Sequence, residues 1–123
     1  MRRPEQKLQI AVVQFLRWAW PPELPWWHTP NGFWRTKSEA SLQKAMGVLA
    51  GVADLTFILP NGQAAFIELK AGSALSSEQI EFRRKVTALK CGYAVCSSVE
   101  EVEAVAARWL GAFGLKLKAR IAA

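Results

Sequence analysis

The chain has 123 residues and a formal net charge of +6, with 51% hydrophobic and 21% charged residues. This length fits one domain around a single core and is too short for separate catalytic and substrate-binding domains. The composition excludes wholesale disorder, and no apolar run approaches the roughly 18 residues of a membrane span. Two closely spaced cysteines, Cys91 and Cys96, fit neither a zinc cluster nor a structural disulfide. We expect a cytoplasmic protein with buried thiols and no organic cofactor.

The excess of basic residues favours a polyanionic partner, because cations that neutralise phosphates release counterions. Charge alone is weak evidence, since many basic proteins bind nothing specific. The basic tail over residues 115–120 is expected to be a solvated edge strand or a frayed end rather than a binding element.

The first half of the chain predicts two helices separated by an extended segment. Apolar residues recur at helical spacing over residues 5–20, until two consecutive prolines stop the pattern. The aromatic segment 26–35 contains a Pro-Asn-Gly break, which indicates an extended, turning chain. A second helix is predicted over residues 38–47, with Ser38 as its N-cap.

The second half predicts a hairpin followed by a helix, a strand and a helix. Two β-prone runs, residues 53–59 and 63–70, flank a Pro-Asn-Gly turn. Capping-box spacing at Ser76 and Ser98 predicts a helix after each serine, with a buried strand over residues 93–96 between the helices. The full order of elements predicts an α/β fold in which helices flank a small mixed sheet.

The hairpin turn decides whether two carboxylates meet. A three-residue loop pairs Leu59 with Gln63 and sets Asp54 opposite Glu68 on one face of the sheet. A two-residue loop would place those side chains on opposite faces and would also pair a proline inside the ladder, which disfavours it. We therefore predict the three-residue loop.

Asp54, Glu68 and Lys70 form the constellation that carries the most chemistry. Glu68 and Lys70 share a face because side chains alternate along a strand. Two carboxylates and a backbone carbonyl make half a coordination shell for Mg²⁺, and the lysine could orient a water or stabilise a developing charge. An exposed polar strand face is the plain alternative, and Arg35 could satisfy Asp54 structurally.

Several segments, taken together and in order, resemble the VRR-NUC branch of the PD-(D/E)XK nucleases. Glu5 and Gln9 are similar to the acidic N-terminal helix of that family, and Ala53 stands where many relatives carry proline. The other matching segments are Gly-Val-Leu-Ala-Gly-Val-Ala-Asp-Leu at 47–55, Phe-Ile-Glu-Leu-Lys-Ala at 66–71, Leu-Ser-Ser-Glu-Gln at 75–79 and His-Thr-Pro-Asn-Gly at 28–32. The resemblance covers most of residues 5–110 and implies a single nuclease domain over 1–123 with a restriction-endonuclease-like core.

The resemblance implies a deoxyribonuclease that uses Mg²⁺, with Mn²⁺ as a substitute. It gives catalytic roles to Asp54, Glu68, Lys70 and Gln79, although Gln79 also reads as a capping-box residue. The implied metal ligands are Glu5, Asp54, Glu68 and the carbonyl of Leu69. Branched, flap or Holliday-junction DNA in replication, recombination or repair is the implied substrate, and a homodimer the implied assembly.

Four residues are predicted to contact DNA: His28, Asn31, Arg35 and Lys37. A lone histidine among aromatic residues is more often packed structurally, and the two basic residues also fit a solvated loop. Four large aromatic residues lie close to these positions in the sequence, and they are suited either to stacking on unpaired bases or to a subunit interface. The sequence does not decide between these two roles for Trp26, Trp27, Phe33 and Trp34.

Two other functions compete with the nuclease. A DNA-binding module of the same fold that has lost catalysis would carry a broken acidic set, whereas Glu5, Asp54, Glu68 and Lys70 are all present. A protein-interaction domain would use the aromatic residues to bind another subunit and would bind no nucleic acid at any salt concentration.

Overall fold

The computed structural model describes residues 3–30 and 36–121. Helices and strands follow the predicted order, with a short strand inside the segment expected to be extended. None of the described helices is long and apolar enough to cross a bilayer. The elements are α1 (Arg3–Ala19), β1 (Trp26–His28), α2 (Lys37–Ala45), β2 (Leu55–Ile58), β3 (Ala64–Leu69), α3 (Ser77–Ala88), β4 (Gly92–Cys96) and α4 (Val99–Gly111).

The four described strands form one mixed sheet in the order β1-β2-β3-β4. β2 is antiparallel to both β1 and β3, whereas β3 and β4 are parallel because α3 crosses between them. The hairpin register pairs Leu55 with Ile67, and the Leu59 N–H donates to the Gln63 carbonyl across 3.0 Å. This confirms the predicted three-residue loop.

Helices α1 and α4 cover one face of the sheet and enclose the larger core. Phe57 lies at its centre, with ring centroids 4.9 Å from Trp20 and 5.6 Å from Trp109. Leu16 of α1 and Leu110 of α4 are fully buried against the same face. Truncating a buried phenylalanine costs about 3–5 kcal/mol, so Phe57 is central to the stability of this layer.

Helix α3 covers the opposite face with a smaller core. Phe82 packs edge-on against Phe66 of β3 with centroids 5.0 Å apart, and Val86 joins the same cluster beside Ala53. Of the two thiols, Cys96 is buried and Cys91 is half-buried, and both are free. The expectation of buried thiols is confirmed for Cys96 and is wrong for Cys91.

Helix α2 begins earlier than the sequence indicates. Its N-cap is Thr36, whose hydroxyl accepts the Glu39 N–H at 3.1 Å, so the prediction of Ser38 as N-cap is wrong. Thr36 has the extended backbone that a capping residue needs, and Ser38 is already helical. None of the residues of α2 is buried.

The basic tail packs against the domain instead of fraying. Leu117 is buried, the Lys118 N–H donates to the Ala19 carbonyl at 2.7 Å, and Arg120 pairs with Glu103 at 3.1 Å. The sequence expectation of a solvated strand or a frayed end is therefore wrong. Alternating apolar residues let the tail bury one side against the larger core while its basic residues face outward.

Candidate active site

Asp54 interrupts the hairpin ladder just before β2. Its Oδ2 accepts the Leu69 N–H at 2.8 Å, a donor that a continued ladder would direct to the backbone of residue 53. The Asp54 carbonyl accepts from the Thr29 N–H and from Nδ1 of His28, each at 2.9 Å. These bonds hold both the side chain and the backbone carbonyl of Asp54, which is only 7% exposed. Because the side chain takes the place of a ladder acceptor, β2 is shorter than predicted.

Glu68 lies opposite Asp54 and is more deeply buried, at 3% exposure. Its Oε2 accepts from Nε2 of Gln79 at 3.0 Å and lies 3.7 Å from Nζ of Lys70. Its Oε1 is buried and receives no hydrogen bond from any donor in the described part of the chain. One oxygen of this carboxylate is thus held in place, while the other has no donor among the described residues.

Gln79 connects the first turn of α3 to the hairpin. Its Oε1 accepts the Ser76 N–H at 2.8 Å, while the Ser76 hydroxyl accepts the Gln79 N–H, completing the capping box. The amide nitrogen of the same side chain donates to Glu68. The Gln79 side chain therefore makes both kinds of contact that the sequence left open: it caps α3, and it contacts the acidic site.

The two buried carboxylates resist being charged together. Burial raises the pKa of Glu68 to about 8, and the nearby charge of Asp54 adds to this effect while Lys70 opposes it. Burial also raises the pKa of Asp54, although the Leu69 N–H partly offsets the shift. The pair therefore tends to hold a shared proton at neutral pH when no cation is present.

This arrangement fits a hard divalent cation as half of a coordination shell. Asp54 and Glu68 provide carboxylate oxygens, and the buried Oε1 of Glu68 has no hydrogen-bond partner among the described residues. Among the described residues, no three His, Cys, Asp or Glu side chains converge into a complete metal cage. Mg²⁺ commonly retains several waters and shares few carboxylates with the protein, so a partial shell suits it.

Glu5 approaches the pair from α1. It is buried, and its charge contributes to the raised pKa of Asp54, although its Oε1 is engaged by the Ser73 hydroxyl at 2.9 Å. Sequence reasoning missed Ser73, because a contact between residues so far apart in the chain leaves no local pattern. The structure brings Glu5 near the site, and its role as a metal ligand stays a prediction, as does that of the Leu69 carbonyl.

The residues predicted to contact DNA have different positions. His28 is half-buried and tied to Asp54 through Nδ1, which gives it a structural contact beside the site. Lys37 is exposed in the first turn of α2. Asn31 and Arg35 lie outside the described residues.

Comparisons with known proteins give a likeness of fold. No protein-family model and no curated protein matches the sequence. A solved structure described as "VRR_NUC domain protein" is similar, with a TM-score of 0.71 and 20% sequence identity, over 90% of this chain and 91% of that chain. The chain thus has the fold of a VRR_NUC domain, and the predicted restriction-endonuclease-like α/β architecture is confirmed.

Proposed function

Because the chain has the fold of a VRR_NUC domain protein, we propose that it is a metal-dependent nuclease that hydrolyses phosphodiester bonds in DNA. The observation that carries this proposal is the buried pair of Asp54 and Glu68 with Lys70 beside it. Two adjacent carboxylates with raised pKa values destabilise a fold, and perturbed titratable groups of this kind cluster at functional sites.

In this proposal each residue has a separate task. Asp54 and Glu68 hold the cation, and the Gln79 amide keeps Glu68 oriented toward it. Lys70, whose Nζ is 3.7 Å from Glu68, orients the attacking water and stabilises charge that develops on the phosphate. When bound, a divalent cation supplies Lewis-acid chemistry by acidifying water and neutralising the scissile phosphate.

The test uses variants that preserve shape. Asp54→Asn retains an oxygen that can accept the Leu69 N–H, and Glu68→Gln retains the size of the side chain. Each should lower cleavage of a DNA panel in Mg²⁺ by at least about a hundredfold, because an electrostatic group at the transition state typically contributes that much. The exposed Glu81→Gln is the matched control and should cleave normally.

The same experiment separates the rival functions. A native protein that binds DNA but cuts none of the single-stranded, duplex, flap and junction substrates would be a catalytically inactive binding module. A protein that binds no DNA even at low salt would favour the protein-interaction domain. Normal cleavage by Glu68→Gln would contradict the proposal that Glu68 is a metal ligand.

We also propose a homodimer, with α2 at its interface. Leu42 and Met46 are one helical turn apart and are 58% and 70% exposed, and Leu49 just beyond them is 57% exposed. A second copy could cover this face in a twofold contact, which would pair two sites for a branched substrate. Light scattering should give twice the chain mass, and Met46→Glu should give monomers.

A further inference from the structure

A groove of about 550 Å³ separates one side of α1 from the edge strand β1. It begins beside the candidate active site, because His28 on one wall bonds to the Asp54 carbonyl. The other wall is the side of α1 that carries Gln9, Val13 and Arg17, which are four residues apart. Glu5 lies on the same side of the helix, one turn before Gln9. The residues that line the groove are Gln9, Val13, Arg17, Trp26, Trp27 and His28.

Trp27 is a lining residue that belongs to neither of the two hydrophobic clusters of the described residues. It pairs with Thr56, which is two residues from Asp54 on one strand, so the indole lies on the same sheet face as the acidic pair. It is 46% exposed at the edge of the sheet. Trp26, by contrast, is stacked on Phe57 in the core. An exposed flat ring next to a candidate phosphate site is suited to stacking on a nucleobase.

The polar groups of the groove complement a nucleic-acid strand. Arg17 is exposed and makes no ion pair within the described part of the chain. The Oε1 of Gln9 is buried and receives no hydrogen bond from the described residues, which leaves one acceptor in the wall of the groove unsatisfied. A cation without an ion pair in the described part of the chain and an unsatisfied acceptor thus lie on the α1 side of the edge strand β1, and an exposed ring lies on the other side of the same strand, with the acidic pair.

We propose that this groove binds an unpaired strand of DNA next to the scissile phosphate, with a base stacked on Trp27 and a backbone phosphate at Arg17. The inference rests on the proposed nuclease function and narrows its substrate to DNA with a single-stranded segment. From Glu5 to Arg17 the helix spans about 18 Å, which is room for a few nucleotides. The three residues of β1 offer little edge for pairing with a peptide strand, and Arg17 favours a polyanion.

The test is binding measured without catalysis. Fluorescence anisotropy in EDTA should show that the full chain binds a labelled oligothymidylate of about 12 nucleotides more tightly than a blunt duplex of equal length. Trp27→Ala should raise the Kd for the oligothymidylate by about tenfold. Arg17→Ala should weaken binding and reduce the slope of log Kd against log salt by about 0.7.

Matched controls remove the same side-chain types outside the groove. Trp18→Ala removes a tryptophan that is 56% exposed on another side of α1, and Arg108→Ala removes an exposed arginine of α4. Both controls should bind like the native protein, and Trp27→Phe should restore most of the affinity. Unchanged affinity in Trp27→Ala and Arg17→Ala would overturn the inference.

Two further outcomes separate this inference from the nuclease proposal. If the groove variants lose binding but the native protein cuts nothing in Mg²⁺, the groove assignment stands and the nuclease proposal fails. If the native protein cuts DNA and the groove variants bind and cut equally well, the nuclease proposal stands and the groove assignment fails.

Discussion

At the scale of single residues, the site depends on two carboxylates that burial holds close together. Each would ordinarily be ionised in water, and each lies where ionisation is costly. The Leu69 N–H and the Gln79 amide offset part of that cost through hydrogen bonds, while one oxygen of Glu68 is left without a donor. The protein therefore carries an electrostatic cost at this position, and a bound cation would relieve it.

The first prediction concerns pH in the absence of divalent cations. The folded protein retains a proton on Glu68 up to a pKa of about 8, whereas the ordinary value is 4.5. Between these values the folded state binds more protons than the unfolded chain, so the free energy of unfolding should fall as pH rises through this interval. Urea denaturation in EDTA at several pH values measures this slope.

Glu68→Gln should flatten that slope, because the amide does not titrate. Glu81→Gln serves as the control, since Glu81 is exposed and paired with Arg84, and it should keep the native profile between pH 4.5 and 8. Parallel curves for the native protein and Glu68→Gln would contradict the assignment of the raised pKa to this carboxyl.

Residue chemistry was predictable from the sequence where local rules apply. Alternation along a strand places Glu68 and Lys70 on one face, and the ion pair between them agrees with it. Local rules contain no information about the bond between Glu5 and Ser73, because it depends on the docking of α1 against the loop after β3. The capping box was visible as spacing, but the second bond of Gln79 required the hairpin and α3 to be placed relative to each other.

At the scale of elements, the turn at residues 60–62 sets the register that brings Asp54 opposite Glu68. The turn residues made this register predictable, since proline cannot donate to the ladder. The tail was less predictable, because alternating leucine and lysine fit a solvated strand as well as a packed segment. Its position is decided by space left between α1 and α4, which is a property of the tertiary structure.

A prediction at this scale separates the two functions of Gln79. Gln79→Glu keeps an oxygen for the Ser76 N–H but replaces the donor to Glu68 with a third carboxylate, so turnover should fall by about 10–100-fold and the melting temperature should also fall. Ser76→Ala removes only the cap, so it should lower stability by about 1 kcal/mol and leave turnover near the native value. Measurements of kcat and Tm on both variants test this, and normal turnover in Gln79→Glu would leave Gln79 as a cap only.

A second prediction concerns the approach of the loop before β2 to α3. A Cβ on Gly51 would lie 2.3 Å from the Glu78 carbonyl oxygen, and the residue has φ +86°. Gly51→Ala should therefore lower the free energy of unfolding by about 3 kcal/mol or more, from backbone strain and overpacking combined.

The matched control is Gly47→Ala. Gly47 has φ +96° but open space around it, so only backbone strain of about 1 kcal/mol is expected. Urea denaturation of both variants measures the difference. Equal losses would mean that the close approach to α3 contributes nothing beyond strain.

At the scale of the whole molecule, the acidic site lies where two layers meet. Helix α1 brings Glu5 from one face of the sheet, and α3 brings Gln79 from the other, while the hairpin between them carries the pair. A cation bound by the pair would stabilise the assembled domain rather than any single element, because the unfolded chain holds no such site.

The last prediction follows from that linkage. Mg²⁺ or Mn²⁺ at about a hundred times its dissociation constant should raise the Tm of the native protein by several degrees, since mass action then contributes about 2.7 kcal/mol. Glu68→Gln should show a much smaller rise, and Glu81→Gln should match the native protein. Differential scanning calorimetry with and without the metal measures this, and equal shifts in all three proteins would indicate nonspecific ion effects.

The bond from the Lys118 N–H to the Ala19 carbonyl has a consequence for how the chain is made. Helix α1 is synthesised about 100 residues before Lys118, so its last turn receives this partner only after the other described helices and strands have been made. Contacts of such long sequence separation slow folding, since most of the chain must be ordered before they form. A nascent chain that has already exposed α1, the hairpin and α3 therefore still lacks this bond at the end of α1, and the synthesis of Lys118 sets the earliest moment at which the bond can form.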